Sequence, residues 1–353
     1  MPWKDWLKKS MEWKSNKKPL FIIIGLGILL FAVIYATLFA GSVKLSPVSV
    51  QRILTEWIQG RAPVDRNLYN LMIYVRLPRI LLNVLAGAIL SVVGILMQTM
   101  TGNPLAEPYV LGVSSGASAG AAGAIVFHWF SFLSTGRIFV SAFLGGAIAI
   151  LLVLAMQGRS TSPVRLVLTG MGVSAFFQAA TTLIVYLSDN EAQARSAQFW
   201  ITGSFTGSDW EDVLLALIAM VIVVGFSMLI SKELDLLLLG RDSARQSGLN
   251  TRLVHLAVIA VSSFAVAVVV AQSGIIGFVG LIIPHIMRKI VGVKHIVLIP
   301  ACTLAGGSFL AAADTAARTV FAPQELPIGV MTAFVGAPVF LFIIHRVYRE
   351  RKG

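Results

Sequence analysis

Arg76-Leu-Pro-Arg79 opens an uncharged, mostly apolar run that reaches Gln98, and Asn103-Pro-Leu-Ala-Glu-Pro108 and Leu111-Gly-Val-Ser-Ser-Gly-Ala117 follow it. About 20 apolar residues is the length that crosses a hydrocarbon core as a helix. Two prolines and a carboxylate directly behind such a run mark a tight, specified turn at a membrane surface. The small residues after Leu111 then start a second apolar helix. Helix, turn, helix is the unit that the rest of the chain extends.

Composition agrees. Of 353 residues, 57% are hydrophobic and 12% are charged, with mean hydropathy +0.84. Soluble domains carry about 25% charged residues, so this is an integral membrane protein. The apolar runs are of helix length and not short alternating segments, which excludes an outer-membrane barrel. The 31 glycines fit close helix–helix packing or simply the frequency of glycine in membrane helices. A net charge of +12 would suit nucleic acid, but the cations sit in short loops and tails, where bilayer orientation accounts for them. Membrane lipid is an expected partner and nucleic acid is not. Cys302 is the single cysteine, so no intrachain disulfide and no thiolate metal site is expected. Residues 1–18 are too polar for a cleaved signal peptide, and Leu20 to Ala40 reads as a retained first helix.

Ten spans are expected, at about 20–40, 80–100, 109–127, 138–156, 166–187, 211–231, 252–272, 274–290, 298–317 and 328–345. With both termini in the cytoplasm, 19 of the 28 Lys and Arg fall on the inner side, as the positive-inside bias requires. Outside lie Gly41 to Tyr74, with Gln51 to Ile58 as a short interfacial helix, and the acidic segment Ser188 to Asp212. The fold expected is all-α: a polytopic bundle of one membrane domain at 20–345, an N-terminal tail at 1–19, an inner loop at 232–251 and a C-terminal tail at 346–353.

Several stretches carry possible function. The inner loop reads Leu239-Gly-Arg-Asp-Ser-Ala-Arg-Gln-Ser-Gly-Leu249, too short and too charged to span. It is either a solvated connector or a short surface helix bracketed by Gly240 and Gly248 that seats in a partner. Arg76 and Arg79, at the outer start of the second span, and Arg318, at the outer end of the ninth, are either snorkelling anchors or guanidiniums that receive carboxylates. Asp314 lies four residues before Arg318, so the two can meet on one helix face. Glu107 is expected to cap or pack its own cytoplasmic turn. Pro284 should bend the eighth span, and His285 is expected to be a structural, hydrogen-bonding histidine.

The run Gly274-Ile-Ile-Gly-Phe-Val-Gly-Leu-Ile-Ile-Pro-His285 is followed by Arg288, Gly292, His295, Ala313-Asp314, Arg318, Glu325-Leu-Pro-Ile-Gly329, Thr332 and Gly336-Ala-Pro-Val-Phe340. Together with Asn103-Pro104-Leu-Ala-Glu107-Pro108, this order and spacing resembles the permeases of iron-siderophore and cobalamin ABC importers, the FecCD type, over roughly residues 70–345. The resemblance implies that Leu239, Gly240, Arg241, Ala244, Gly248 and Leu249 contact an ATPase, although relatives usually carry an acidic residue at position 241. It implies that Arg76, Arg79 and Arg318 form pockets for acidic residues of an extracellular substrate-binding protein. It implies as partners a second permease chain, the same or homologous, and two ATP-binding subunits, because this chain has no Gly-x-x-x-x-Gly-Lys-Ser/Thr loop of its own. No covalent chemistry, cofactor or metal site is expected. The substrate implied is a ferric siderophore, with cobalamin or haem as alternatives. An ion-driven secondary transporter is the rival, but it would place carboxylates mid-span, and the spans as drawn have none there.

Overall fold

The computed structural model describes residues 18–41, 45–133, 136–158, 160 and 162–349. Most of the expected N-terminal tail and the last four residues lie outside that set. Every regular element among the described residues is helical. In chain order they are α1 (Lys18–Phe39), α2 (Pro47–Ile58), α3 (Arg66–Thr101), α4 (Val113–Val126), α5 (Arg137–Gln157), α6 (Pro163–Tyr186), α7 (Glu191–Ile201), α8 (Trp210–Leu229), α9 (Ser231–Leu238), α10 (Arg241–Gln246), α11 (Thr251–Ser273), α12 (Val279–Val291), α13 (His295–Thr319) and α14 (Ile328–Arg349).

The long helix α3 is the axis of the molecule. Between residues 77 and 100 only Leu81 and Val84 escape full burial, the mark of a helix apolar on all sides and enclosed on all sides. It packs against α8, α11, α12 and α13. Pro78 lacks the N–H that would bond back to Tyr74, and the helix absorbs this with a π-turn at Leu71–Arg76, where the Leu77 N–H reaches the Met72 carbonyl. Helix α1 lies at the periphery with most of its surface outward. The expected interfacial helix is α2, started by Pro47 and capped by Ser46, whose Oγ accepts from the Ser49 N–H at 3.1 Å.

Among the described residues seven helices are long and apolar enough to cross a membrane. Two of the ten expected spans are half-length: α4 has 14 residues and α12 has 13. At 1.5 Å per residue each is about 20 Å long, short of a core about 30 Å thick. The chain that leaves α3 turns at Gly102 (φ +62°), where Asn103 Oδ1 accepts from the Leu105 N–H at 3.0 Å. It then climbs back into the bundle, so that the ring of Pro108 stands against Gly280 near the carbonyl of Leu90, midway along α3. On the facing side, α11 ends at Ser273 and residues 274–278 run without helix into α12.

Two breaks in the backbone therefore meet inside the bundle, and side chains complete them. Glu107 does not cap its own turn; its Oε1 accepts from the Phe278 N–H at 3.3 Å, at the start of α12. Tyr109 OH donates to the Ile276 carbonyl and accepts from the Ile276 N–H at 3.0 Å. Pro284 lies inside α12, but the break precedes it at residues 274–278. Having no N–H, Pro284 leaves the Gly280 carbonyl without its helical donor, and Gln98 Nε2 supplies one at 3.2 Å. His285 Nε2 is buried and has no hydrogen-bond partner among the described residues.

Glycines set how closely these elements approach. A Cβ on Gly94 would overlap the Gly280 carbonyl, and one on Gly87 would overlap that of Gly306. Close backbone approach of this kind is what holds helices together where lipid supplies no hydrophobic drive. Gly94→Ala should therefore force α3 and α12 apart at a cost of about 1–3 kcal/mol, lowering the thermal midpoint of the detergent-solubilised protein by a few degrees. Gly25→Ala, with nothing within 4 Å of the added carbon, should leave it unchanged. Equal midpoints for both variants would contradict the packing account.

Candidate functional site

Charge bias assigns one end of the bundle to the outside, and Arg76, Arg79 and Arg318 meet there. Arg79 donates through Nη2 to Asp314 at 2.9 Å and through Nη1 to Glu325 Oε2 at 2.9 Å. Arg318 Nε stands 2.9 Å from the other oxygen of Asp314, so the pair expected on one helix face is present. Arg76 Nη1 donates to the Leu38 carbonyl at 2.7 Å, and its guanidinium lies against Gly41. The three arginines are only 4%, 8% and 5% exposed, so their charges are answered largely within the chain. Asp314 sits between two guanidiniums, as a buried carboxylate must to remain charged. The pairing of Arg79 with Asp314 and Glu325 joins residues more than 200 apart, and no local spacing announces it.

The opposite end carries the inner segment. Leu239 and Gly240 lead from α9 into α10, and Gly248 and Leu249 lead out. Gly240 has φ +109° and Gly248 φ +85°, conformations that residues with a Cβ rarely adopt. Ala244 is buried and its carbonyl accepts from the Leu249 N–H at 3.1 Å, while Asp242, Ser243, Gln246 and Ser247 face outward. Arg241 turns inward, and its Nη2 donates to the Met100 carbonyl at 2.8 Å, closing the C-terminal turn of α3. Burial, and then the neighbouring Arg245, pull the Arg241 pKa below the usual guanidinium value. The outer arginines and this inner segment are not brought together; they sit at opposite ends of α3.

Two features escape a reading of the sequence. Asp235 on α9 reaches the first residue of α13: its Oδ1 accepts from the His295 N–H at 3.0 Å and lies 2.6 Å from His295 Nδ1. The available signal is Lys294, a helix-preceding residue that cannot cap and so calls for a cap from elsewhere. The second is a cleft of about 300 Å³ between α4, α6 and α7, where Ser115, Ser118, Gln178, Thr181, Thr182 and Gln198 share the lining with Val185, Ile201 and Ile275 and no lining residue is charged. Its polar residues are scattered along three elements, and only the fold collects them.

The chain matches the FecCD transport family across residues 28–346. It is 34% identical to the hemin transport system permease protein HmuU of Yersinia pestis over 93% of this chain and 97% of that one. It is 36% identical to the Fe(3+) dicitrate transport system permease protein FecD of Escherichia coli over 89% of this chain and 98% of that one. Relatives of similar identity are vitamin B12 and molybdate import permeases. A solved structure described as a metal-chelate type ABC transporter in an inward-facing conformation superposes with a TM-score of 0.81 at 33% identity, over 92% of this chain and 99% of that one. With the fold and the match both extending over nearly its whole length, the chain belongs to the FecCD transport family and is a multi-pass permease subunit of an ABC importer in the cell membrane.

Proposed function

We propose that this permease imports a ferric siderophore delivered by an extracellular substrate-binding protein. The observation that supports this reading best is the match across residues 28–346 to a family that includes a ferric dicitrate permease. The haem and vitamin B12 relatives make those two compounds the competing substrates. The uncharged, mixed polar and apolar lining of the cleft beside α6 suits the passage of a bulky chelate, because no fixed charge would hold it in place.

In this reading two permease chains line a central path, and a nucleotide-binding subunit sits beneath each. Leu239, Gly240, Arg241, Ala244, Gly248 and Leu249 form the contact with the ATPase, the outward residues of α10 supplying the surface. ATP binding and hydrolysis bias the permeases between two states by binding them unequally. Arg76, Arg79 and Arg318 receive carboxylates of the binding protein. Because Asp314 and Glu325 already engage Arg79, the binding protein must compete for that guanidinium.

Competition makes docking testable from an unusual direction. Glu325 is the more exposed of the two acids, with 32% of its side chain accessible. Glu325→Gln removes the competing charge and should tighten binding of the binding protein to nanodisc-embedded permease by roughly three- to tenfold, about 0.7–1.4 kcal/mol, more so at low salt. Unchanged affinity at both salt concentrations would contradict docking through Arg79.

The substrate is tested by uptake into cells expressing the permease with its cognate partners. Iron-55 presented as a hydroxamate or catecholate chelate should accumulate, while cobalt-57 cobalamin and haem should not. Accumulation of cobalamin or haem in place of the iron chelate would replace this substrate reading.

A further inference from the structure

α3 and α13 run antiparallel in contact from one end of the bundle to the other. Arg79 meets Asp314 at the outer end, Gly87 meets Gly306 in the middle, and Thr99 Oγ1 lies 3.0 Å from His295 Nε2 at the inner end. From Arg79 to Thr99 the helix rises about 30 Å. The pair is thus bonded at both ends and in close backbone contact at its waist.

Helix α9 packs against the inner end of this pair, and one of its carboxylates bonds to it. Asp235 supplies an acceptor for the first N–H of α13, which Lys294 does not cap. Its negative charge is also favourable at that helix N-terminus. The same oxygen faces His295 Nδ1, and the buried imidazole carries the contact onward to Thr99 on α3. One side chain thus reaches both members of the pair. A second tie, from Arg241 to the Met100 carbonyl, starts on α10 itself. Buried Leu234 and Leu237 seat α9 in the core and Ala244 does the same for α10; the two polar ties give that seat a fixed direction against the ends of α13 and α3.

We propose that Asp235 is a positioning residue that fastens the surface helices α9 and α10 to the α3–α13 pair. Movement imposed on α10 by the nucleotide-binding partner then reaches the outer end as displacement of that pair. The inference rests on the reading of Leu239 to Leu249 as the ATPase contact. It goes further in naming the joint through which the contact acts.

The test uses the full complex of permease, ATPase and binding protein in nanodiscs and proteoliposomes. Copurification of the ATPase, basal hydrolysis, hydrolysis stimulated by loaded binding protein, and substrate moved per ATP are all measured. Asp235→Ala deletes the joint at a side chain that is 39% accessible, so water can replace it. Copurification and basal hydrolysis should persist, while substrate moved per ATP should fall by about tenfold. Asp235→Asn keeps an acceptor for both His295 donors and should remain within about threefold of the parent. Thr99→Val removes only the hydroxyl at the far joint and should reduce coupling in the same direction; it carries the test if Asp235→Ala fails to accumulate. Parental coupling in Asp235→Ala, or in Thr99→Val where Ala does not accumulate, would overturn the proposal. So would equal losses in the Ala and Asn variants, which would assign the effect to surface charge. Failure of the unmodified permease to retain the ATPase would instead overturn the reading of the ATPase contact, a separate and distinguishable outcome.

Discussion

In an apolar surround every backbone N–H and C=O needs a partner within the protein, and this chain interrupts its helices twice inside the bundle. Much of the architecture follows from how those interruptions are completed. Gln98 is the pivotal side chain: its Nε2 donates to the Gly280 carbonyl that Pro284 leaves open, and its Oε1 accepts from Arg288 Nη1. Glu107 and Tyr109 serve the other break at Phe278 and Ile276. Because these partners are supplied, α4 and α12 can begin inside the bundle, and α3 can be wrapped on all sides. The glycine contacts at Gly94 and Gly87 then bring the backbones close enough for those bonds to form.

The same arrangement separates the two ends chemically. The outer end holds three guanidiniums, Arg76, Arg79 and Arg318, answered by the carboxylates of Asp314 and Glu325 and by the Leu38 carbonyl. The inner end holds polar ties from Asp235 and Arg241 to the ends of α13 and α3. An importer permease must relate events on two sides of a membrane without chemistry of its own. A rigid pair of helices with a distinct polar fitting at each end is a physical means of doing so.

Helix-forming runs were legible because hydrophobic length and charge placement are local properties, and seven of the ten expected spans coincide with helices of crossing length. The expected spans 109–127 and 274–290 carry α-helix over only part of their length, because hydropathy reports which residues shun water and not where the backbone ladder is interrupted. Glu107 looked like a local cap because its partner, Phe278, is 171 residues away. The three outer arginines lie at one end of the bundle, but the burial of Arg79 against Asp314 and Glu325, and of Arg76 against Leu38 and Gly41, is a tertiary fact that no spacing encodes. Asp235 left only an indirect trace, the missing cap before His295.

The central claim is that this permease belongs to a transporter driven by ATP. The direct measurement is uptake of an iron-55 chelate into proteoliposomes that contain the permease with its ATPase, with binding protein outside, ATP enclosed and a protonophore present. The account predicts uptake that persists with the protonophore and disappears when the enclosed ATP is omitted. Uptake supported by an imposed proton or sodium gradient in the absence of ATP and ATPase would contradict it.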